Sequence, residues 1–377
     1  MRMLLAVAFC AAFPTLWLWS TASSAAPLRP PVGFTVAVGD DDKDLRDCPQ
    51  DAVPFAGALD FPSKYAGSDR ARDDYNARSD REYKRRIAPI TAFERGVSRQ
   101  VDDYMRGGRP EALDCAIGLL ADWSRERGLE GRSLSHTGKS MRKWALGSVA
   151  ASYLRLKFSA SRPLDAIDDD RIGDIEAWIG RVAARVVDEW SDQPLRKMNN
   201  HEYWAAWSVM AAAVALDRKD LFDWSVAQYR TAAMQIDAEG YLPNELARDT
   251  RALYYHNYAL TPLAMLAAFG QANGVDLAAE NDRAIDRLAR RVLLGVADPN
   301  DFEVRTGAKQ NVSEFKESSK FAWIEIYCWL RPCDAALLAR LDTLRPLGST
   351  RLGGSVTDLF SIPARHAGAA FSQEVSS

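Results

Sequence analysis

Two stretches of this chain concentrate the side chains that can move protons and hold charge. The first, Met198-Asn199-Asn200-His201-Glu202-Tyr203-Trp204-Ala205-Ala206-Trp207, gathers two amides, an imidazole and two indoles, while the whole chain holds only 4 His. Asn199 reads as a helix N-cap, its side-chain oxygen accepting from first-turn N–H groups. Asn200 and His201 then fall in the first turn, where the positive end of the helix dipole favours a neutral imidazole. Trp204 and Trp207 follow on the face of Asn200, as a sugar platform or as core. The second stretch runs from Leu246 to Tyr258 and contains Arg248, Arg251, Tyr254 and Tyr255. With a helix opening at Asp249 or Thr250, Arg251 and Tyr255 stand at i, i+4 and Arg248 lies just before them. Guanidinium groups beside a phenol are expected to pull its pKa below about 10 and make it useful as a base.

Amide, guanidinium, imidazole and phenol together suit a β-elimination on a uronic acid. The C5 proton of a uronate becomes removable when the neighbouring carboxylate is neutralised by preorganised donors. In a β-mannuronate unit that proton and the leaving O4 share one ring face, so one Tyr can act as base and then as acid. No pair of acids stands out as a glycosidase requires. Glu202, Glu245 and Asp249 read as helix surface or ion-pair residues. The plain alternative is helix packing, with Tyr254, Tyr255 and Tyr258 as interior filler and Asp249 paired to Arg251.

The elements that must position these groups are helical. Apolar stripes mark helices over 111–127, 139–158 and Ile175 to Val186, and further helical stretches cover roughly 200–217, 219–236, 250–272, 279–297, 310–330 and 333–344. Helical character begins at Pro89. No strand alternates convincingly and no fixed repeat appears. Short links make successive helices antiparallel neighbours. The absence of a linker favours hairpins curled into one closed all-α toroid with a central cleft over an open solenoid.

Residues 1–25, with Arg2 as the only charge before an apolar run, read as a secretory signal peptide. Residues 26–60 read as an extended arm, 61–347 as the toroid, and 348–377 as a loosely packed tail. No later stretch is apolar enough to cross a membrane. The net charge of -3 excludes a generic polyanion-binding surface, so an anionic partner needs a local basic cleft and nucleic acid is not expected. Outside the leader, Cys48, Cys115, Cys328 and Cys333 suggest two disulfides, Cys328 with Cys333 at a helix end and Cys48 tying the arm to Cys115. Their spacing lacks a paired metal motif, so no metal and no cofactor are expected.

Several words carry a family resemblance. Asn199-Asn200-His201-x-Tyr203-Trp204, Asn244-Glu245-Leu246 and Arg251-Ala252-Leu253-x-Tyr255-His256-Asn257-Tyr258 resemble the mannuronate-specific alginate lyases of bacterial alginate producers. So do Ser63-Lys64-Tyr65 and Gly138-Lys139-x-x-Arg142-Lys143-Trp144. The resemblance covers nearly all of the chain after the leader. It implies an (α/α) toroid, a periplasmic location and endolytic cleavage of polymannuronate without an obligatory metal. It also implies that Asn200 and Arg248 neutralise the carboxylate, His201 assists, and Tyr255 is base and then acid. Ser63, Lys64, His136, Thr137 and Tyr254 would contact the polymer, while Arg142 and Arg251, with Lys64, would supply local positive potential. Tyr254 and Tyr255, being adjacent, are not expected to face the cleft together along one helix face, which leaves open which is the reacting phenol. The implied setting is clearance of alginate near an export machinery, and nothing in the residues demands more than a monomer. A glycoside hydrolase on a similar toroid, or a non-catalytic polysaccharide-binding or export protein, are the competing readings.

Overall fold

In the computed structural model the described residues are 26–41, 46–65 and 71–361. The leader expected over 1–25 and the end of the tail, 362–377, lie outside them. The helices are α1 (Ala77–Gly107), α2 (Pro110–Arg125), α3 (His136–Phe158), α4 (Asp169–Trp190), α5 (Asn200–Leu216), α6 (Lys219–Gln235) and α7 (Pro243–Leu246). They continue as α8 (Ala252–Ala272), α9 (Glu280–Ala297), α10 (Asn300–Thr306), α11 (Ala322–Leu330), α12 (Ala335–Leu344) and α13 (Val356–Phe360).

Burial pattern sorts these helices into two layers. Buried positions run all round α3, α5 and α8, which form an inner ring with α1 and α11. In contrast, α4 and α9 bury one stripe, Ile175 to Trp190 and Ala284 to Gly295, and stand with α2 and α6 on the outside. The result is an (α/α) toroid of antiparallel hairpins. Because each outer helix returns the chain, the inner helices share one direction. First-turn residues of α3, α5 and α8 consequently meet at one end of the ring.

Three local expectations are corrected. Helix α1 starts well before Pro89, because Asn76 caps it by accepting from the Ser79 N–H at 2.9 Å; Pro89 is carried inside the helix. The stretch 310–330 is not one helix: two single 3-10 turns, Ser313–Lys316 and Ser318–Phe321, precede α11. Residues 348–360 are not a loose tail. They form a short antiparallel ladder, β1 (Gly348–Ser349) with β2 (Gly354–Ser355), followed by α13 with Val356, Leu359 and Phe360 buried. Asp102 of α1 accepts from the Ser355 N–H at 3.1 Å, and Arg155 of α3 donates to the Gly353 carbonyl at 2.8 Å. Phe360 packs edge-on against Trp329 of α11 and Phe34 of the arm. This segment bridges the first and last inner helices, an arrangement fixed by contacts far apart in sequence and absent from any local pattern.

The N-terminal arm is pinned from outside. Phe34 is buried against Phe269 at 5.4 Å between ring centroids, and Cys48 is bonded to Cys115 of α2. Cys328 is bonded to Cys333 just past α11. Leu59 runs beside the loop that enters α3, and its carbonyl lies so near Gly138 that a Cβ there would stand 2.0 Å away. Only glycine permits that approach, which sets the first turn of α3 against the arm.

Candidate active site

A cleft of about 1070 Å³ opens where the inner helix N-termini converge. Nine Lys and Arg side chains line it against three Glu, so an acidic protein presents a basic groove. The converging dipole ends of α3, α5 and α8 add to that positive potential.

The first wall is the start of α5. Asn199 closes a capping box: it accepts from the His201 N–H at 3.0 Å, and its own N–H donates to Glu202 at 2.8 Å. Asn200, 1% exposed, donates from its backbone N–H and its Nδ2 to Glu245 Oε1 at 2.6 and 2.8 Å. Glu245 is therefore neither surface residue nor ion-pair partner. It is fully buried beneath the cleft, and burial raises its carboxyl to about 7 against the pull of Arg248. His201 stacks parallel to Trp190 of α4 at 5.7 Å and meets His136 edge-on at 4.6 Å. Burial first, then the neighbouring Lys143, holds the His201 imidazole well below its usual pKa, so it is neutral. His136 is lowered to about 4 for the same two reasons.

The second wall is the entry to α8. A 3-10 turn over Asp249–Arg251 leads into the helix. Arg251 Nη1 donates to the Tyr255 hydroxyl at 3.2 Å and to the Tyr65 hydroxyl at 3.0 Å, while its Nη2 pairs with Glu314 at 2.5 Å. The Arg248 guanidinium lies 3.9 Å from the centre of the Tyr255 ring. The expectation of a depressed phenol pKa is reversed. Burial pushes Tyr255 up to about 12, and Arg248 and Arg251 only offset part of that rise.

Tyr254 and Tyr255 both line the cleft, against the expectation for adjacent helix positions. The helix points its end at the cleft, so first-turn side chains reach it from several sides. Tyr254 stacks parallel to Tyr258 at 6.0 Å, and burial raises its phenol well above the usual value. Tyr255 lies against both the Arg251 and the Arg248 guanidiniums.

Ser63, Lys64, His136, Thr137 and Arg251 line the cleft as expected from sequence. Arg142 and Trp204 do not. Arg142 is 1% exposed, donates to the Leu129 carbonyl at 2.8 Å and pairs with Glu189, which locks the floor under the site. Trp204 is 3% exposed and packs on Tyr258 at 5.1 Å, so it is core. Trp207 is buried too, its indole donating to the Arg351 carbonyl at 2.9 Å.

Sequence reasoning missed Lys143, Trp190, Tyr65 and Arg351. Lys143 is the neighbour of Arg142 on α3, and a turn of about 100° decides which of the two meets His201. Arg351 comes from the segment read as tail. Its guanidinium lies 3.8 Å from the centre of the Trp144 ring and its Nη1 donates to the Tyr258 hydroxyl at 2.5 Å. Among the described residues no His, Cys, Asp and Glu cluster could hold a metal ion.

The family model described as alginate lyase matches residues 60–302. An alginate lyase of Pseudomonas fluorescens is 50% identical over 353 residues, covering 92% of this chain and 94% of that one. One from Pseudomonas aeruginosa is 48% identical over 358 residues, with 95% and 97% covered. The chain belongs to the alginate lyase family. Among solved structures, alginate lyase A1-III as a histidine-to-alanine variant complexed with a tetrasaccharide superposes with a TM-score of 0.70 at 22% identity, covering 89% of this chain and 91% of that chain. The same protein from Sphingomonas species A1 gives 0.66, again at 22% identity and with 89% of each chain covered. These likenesses support the toroid. As a family member this chain is a polysaccharide lyase acting on alginate, and the basic cleft suits a polymer that carries a carboxylate on every sugar.

Proposed function

We propose that the enzyme cleaves alginate inside the chain at β-D-mannuronate by β-elimination. The observation that carries this reading is the Tyr255 hydroxyl, 3.2 Å from Arg251 and under the Arg248 guanidinium, in the same cleft as Asn200 and His201. Arg248 and the amide of Asn200 neutralise the substrate carboxylate, with His201 assisting. The Tyr255 phenolate removes the C5 proton, and the electron pair forms the C4–C5 double bond. The C4–O4 bond breaks, and the Tyr255 phenol returns the proton to O4. The new non-reducing end is an unsaturated uronate.

The carboxylates of the cleft argue against hydrolysis. Glu202 is used in the helix cap, Glu314 pairs with Arg251 and Glu189 pairs with Arg142. None is free to protonate a leaving oxygen. Lys64 and Lys320 beyond the reacting residues, with Lys197 near the start of α5, supply charge for neighbouring sugars, as an internal cut requires. Two A1-III structures complexed with tetrasaccharide carry a histidine-to-alanine and a tyrosine-to-phenylalanine change, and those two positions are separated by the same interval as His201 and Tyr255. The leader-like residues 1–25 and the two disulfides support a periplasmic enzyme that clears stray alginate during export. No helix among the described residues is long and apolar enough to cross a membrane.

Incubation with polymannuronate should give a rising ultraviolet absorbance from the unsaturated uronate, faster than with polyguluronate, and oligosaccharides of several sizes early in the reaction. No rise with either polymer would sink the lyase mechanism, while a faster rise with polyguluronate would sink the specificity.

A further inference from the structure

Lys143 has no part in the chemistry above, yet its side chain is completely buried directly behind His201. Its Nζ lies 2.9 Å from His201 Nδ1 and 2.8 Å from the His201 carbonyl oxygen. The same nitrogen is 3.5 Å from the centre of the Trp190 ring. A carbonyl oxygen and an aromatic face can only receive an N–H. The ammonium form has three N–H groups and no acceptor site, so in that form the carbonyl, the ring face and a bare Nδ1 each receive one N–H. The Ser140 hydroxyl, 3.3 Å from Nδ1, is a second potential donor to it. Burial first, and Arg351 with it, holds the Lys143 amine well below its usual pKa, while Glu202 and Glu189 oppose that shift. His201 Nε2 has no hydrogen-bond partner among the described residues, and the residue borders the cleft.

We propose that Lys143 is a positioning residue that fixes His201 as its Nε2–H tautomer, so that the imidazole meets the substrate carboxylate as a hydrogen-bond donor and does not serve as the base at C5. This rests on the lyase reading. The opposite tautomer would aim the Nε2 lone pair at a carboxylate oxygen and replace attraction by repulsion. It would also let His201 compete with Tyr255 for the proton. Charge on the carboxylate grows as the C5 proton leaves, so the lock acts more on kcat than on KM.

The test is a proton–nitrogen correlation spectrum of the enzyme labelled with nitrogen-15 histidine, in which the His201 signals are those lost in His201→Gln. The expected pattern in the wild-type enzyme is Nε2–H with a bare Nδ1. Lys143→Met, which keeps the length and removes the donor, should shift His201 toward the other tautomer. It should lower kcat about 10- to 100-fold with KM changed less than about threefold. An Nδ1–H pattern in active wild-type enzyme overturns the proposal, as does a Lys143→Met enzyme with unchanged tautomer and unchanged kcat. Should that variant fail to fold, the wild-type spectrum still decides. Failure of the lyase reading looks different: an Nε2–H spectrum in a protein that yields no unsaturated product.

Discussion

Tyr255 carries opposing influences that a sequence cannot weigh. Two guanidiniums stabilise its phenolate, but burial costs more, and the hydroxyl rests near 12. The phenolate that the proposed mechanism uses as base is therefore a minor form at neutral pH, and its fraction grows with each pH unit. The rate of uronate formation should rise from pH 6 to pH 9, and a profile falling across that range would count against the phenolate. Replacing Tyr255 by Phe keeps the ring against Arg248 and removes the hydroxyl that carries the proton in the proposed mechanism. Turnover should fall by at least about a thousandfold with little change in KM, in line with the loss of a group that serves as both base and acid. Arg248→Ala should lower kcat about 100- to 1000-fold through lost charge stabilisation. Both are read in the ultraviolet assay with polymannuronate.

At the scale of elements, the site depends on how three helices begin. The Asn199 cap and the Glu202 return bond hold the turn that carries Asn200 and His201. Asn199→Ala should lower unfolding stability by about 1 kcal/mol, measured by denaturant titration, and raise KM because that turn loosens. The disulfides hold different lengths of chain. Cys48–Cys115 spans a separation of 67 and Cys328–Cys333 one of 5. On the chain-entropy account, replacing the first pair by Ser should cost about 4 kcal/mol and the second about 2 kcal/mol. Equal losses in paired denaturation curves would contradict that account. Much at this scale was legible beforehand: the cap, the stripe of α4 and the Cys328–Cys333 pair follow from local residue types and short spacings, which leaves Cys48 for Cys115. The rotation of α3 was not, because Arg142 and Lys143 are both cations and only packing against α4 and α5 tells which is floor and which touches the imidazole.

At the scale of the whole molecule, closing the ring buries charge. Glu94 of α1 sits 6% exposed, and burial raises its carboxyl from 4.5 to about 7, Arg351 opposing. A raised acid favours the folded state below the unfolded pKa and loses that contribution as pH climbs from about 4.5 to 7. Glu94→Gln, neutral at all pH, should raise the melting temperature relative to wild type at pH 8 but not at pH 4.5. A gain that is equal at both values would show that the carboxyl does not titrate in this window. Sequence alone determined the all-helical class, the antiparallel succession, the two words that line the cleft and the family they resemble, because periodicity, capping and spacing are local properties of the chain. Tertiary structure decided what depends on which side of a wall a residue ends: that Trp204, Arg142 and Lys143 lie beneath the site, that Arg351 borders it, and that Tyr254 and Tyr255 both reach the cleft. It also decided the protonation of Tyr255, since desolvation is set by everything packed around a group while the sequence lists only its neighbours along the chain.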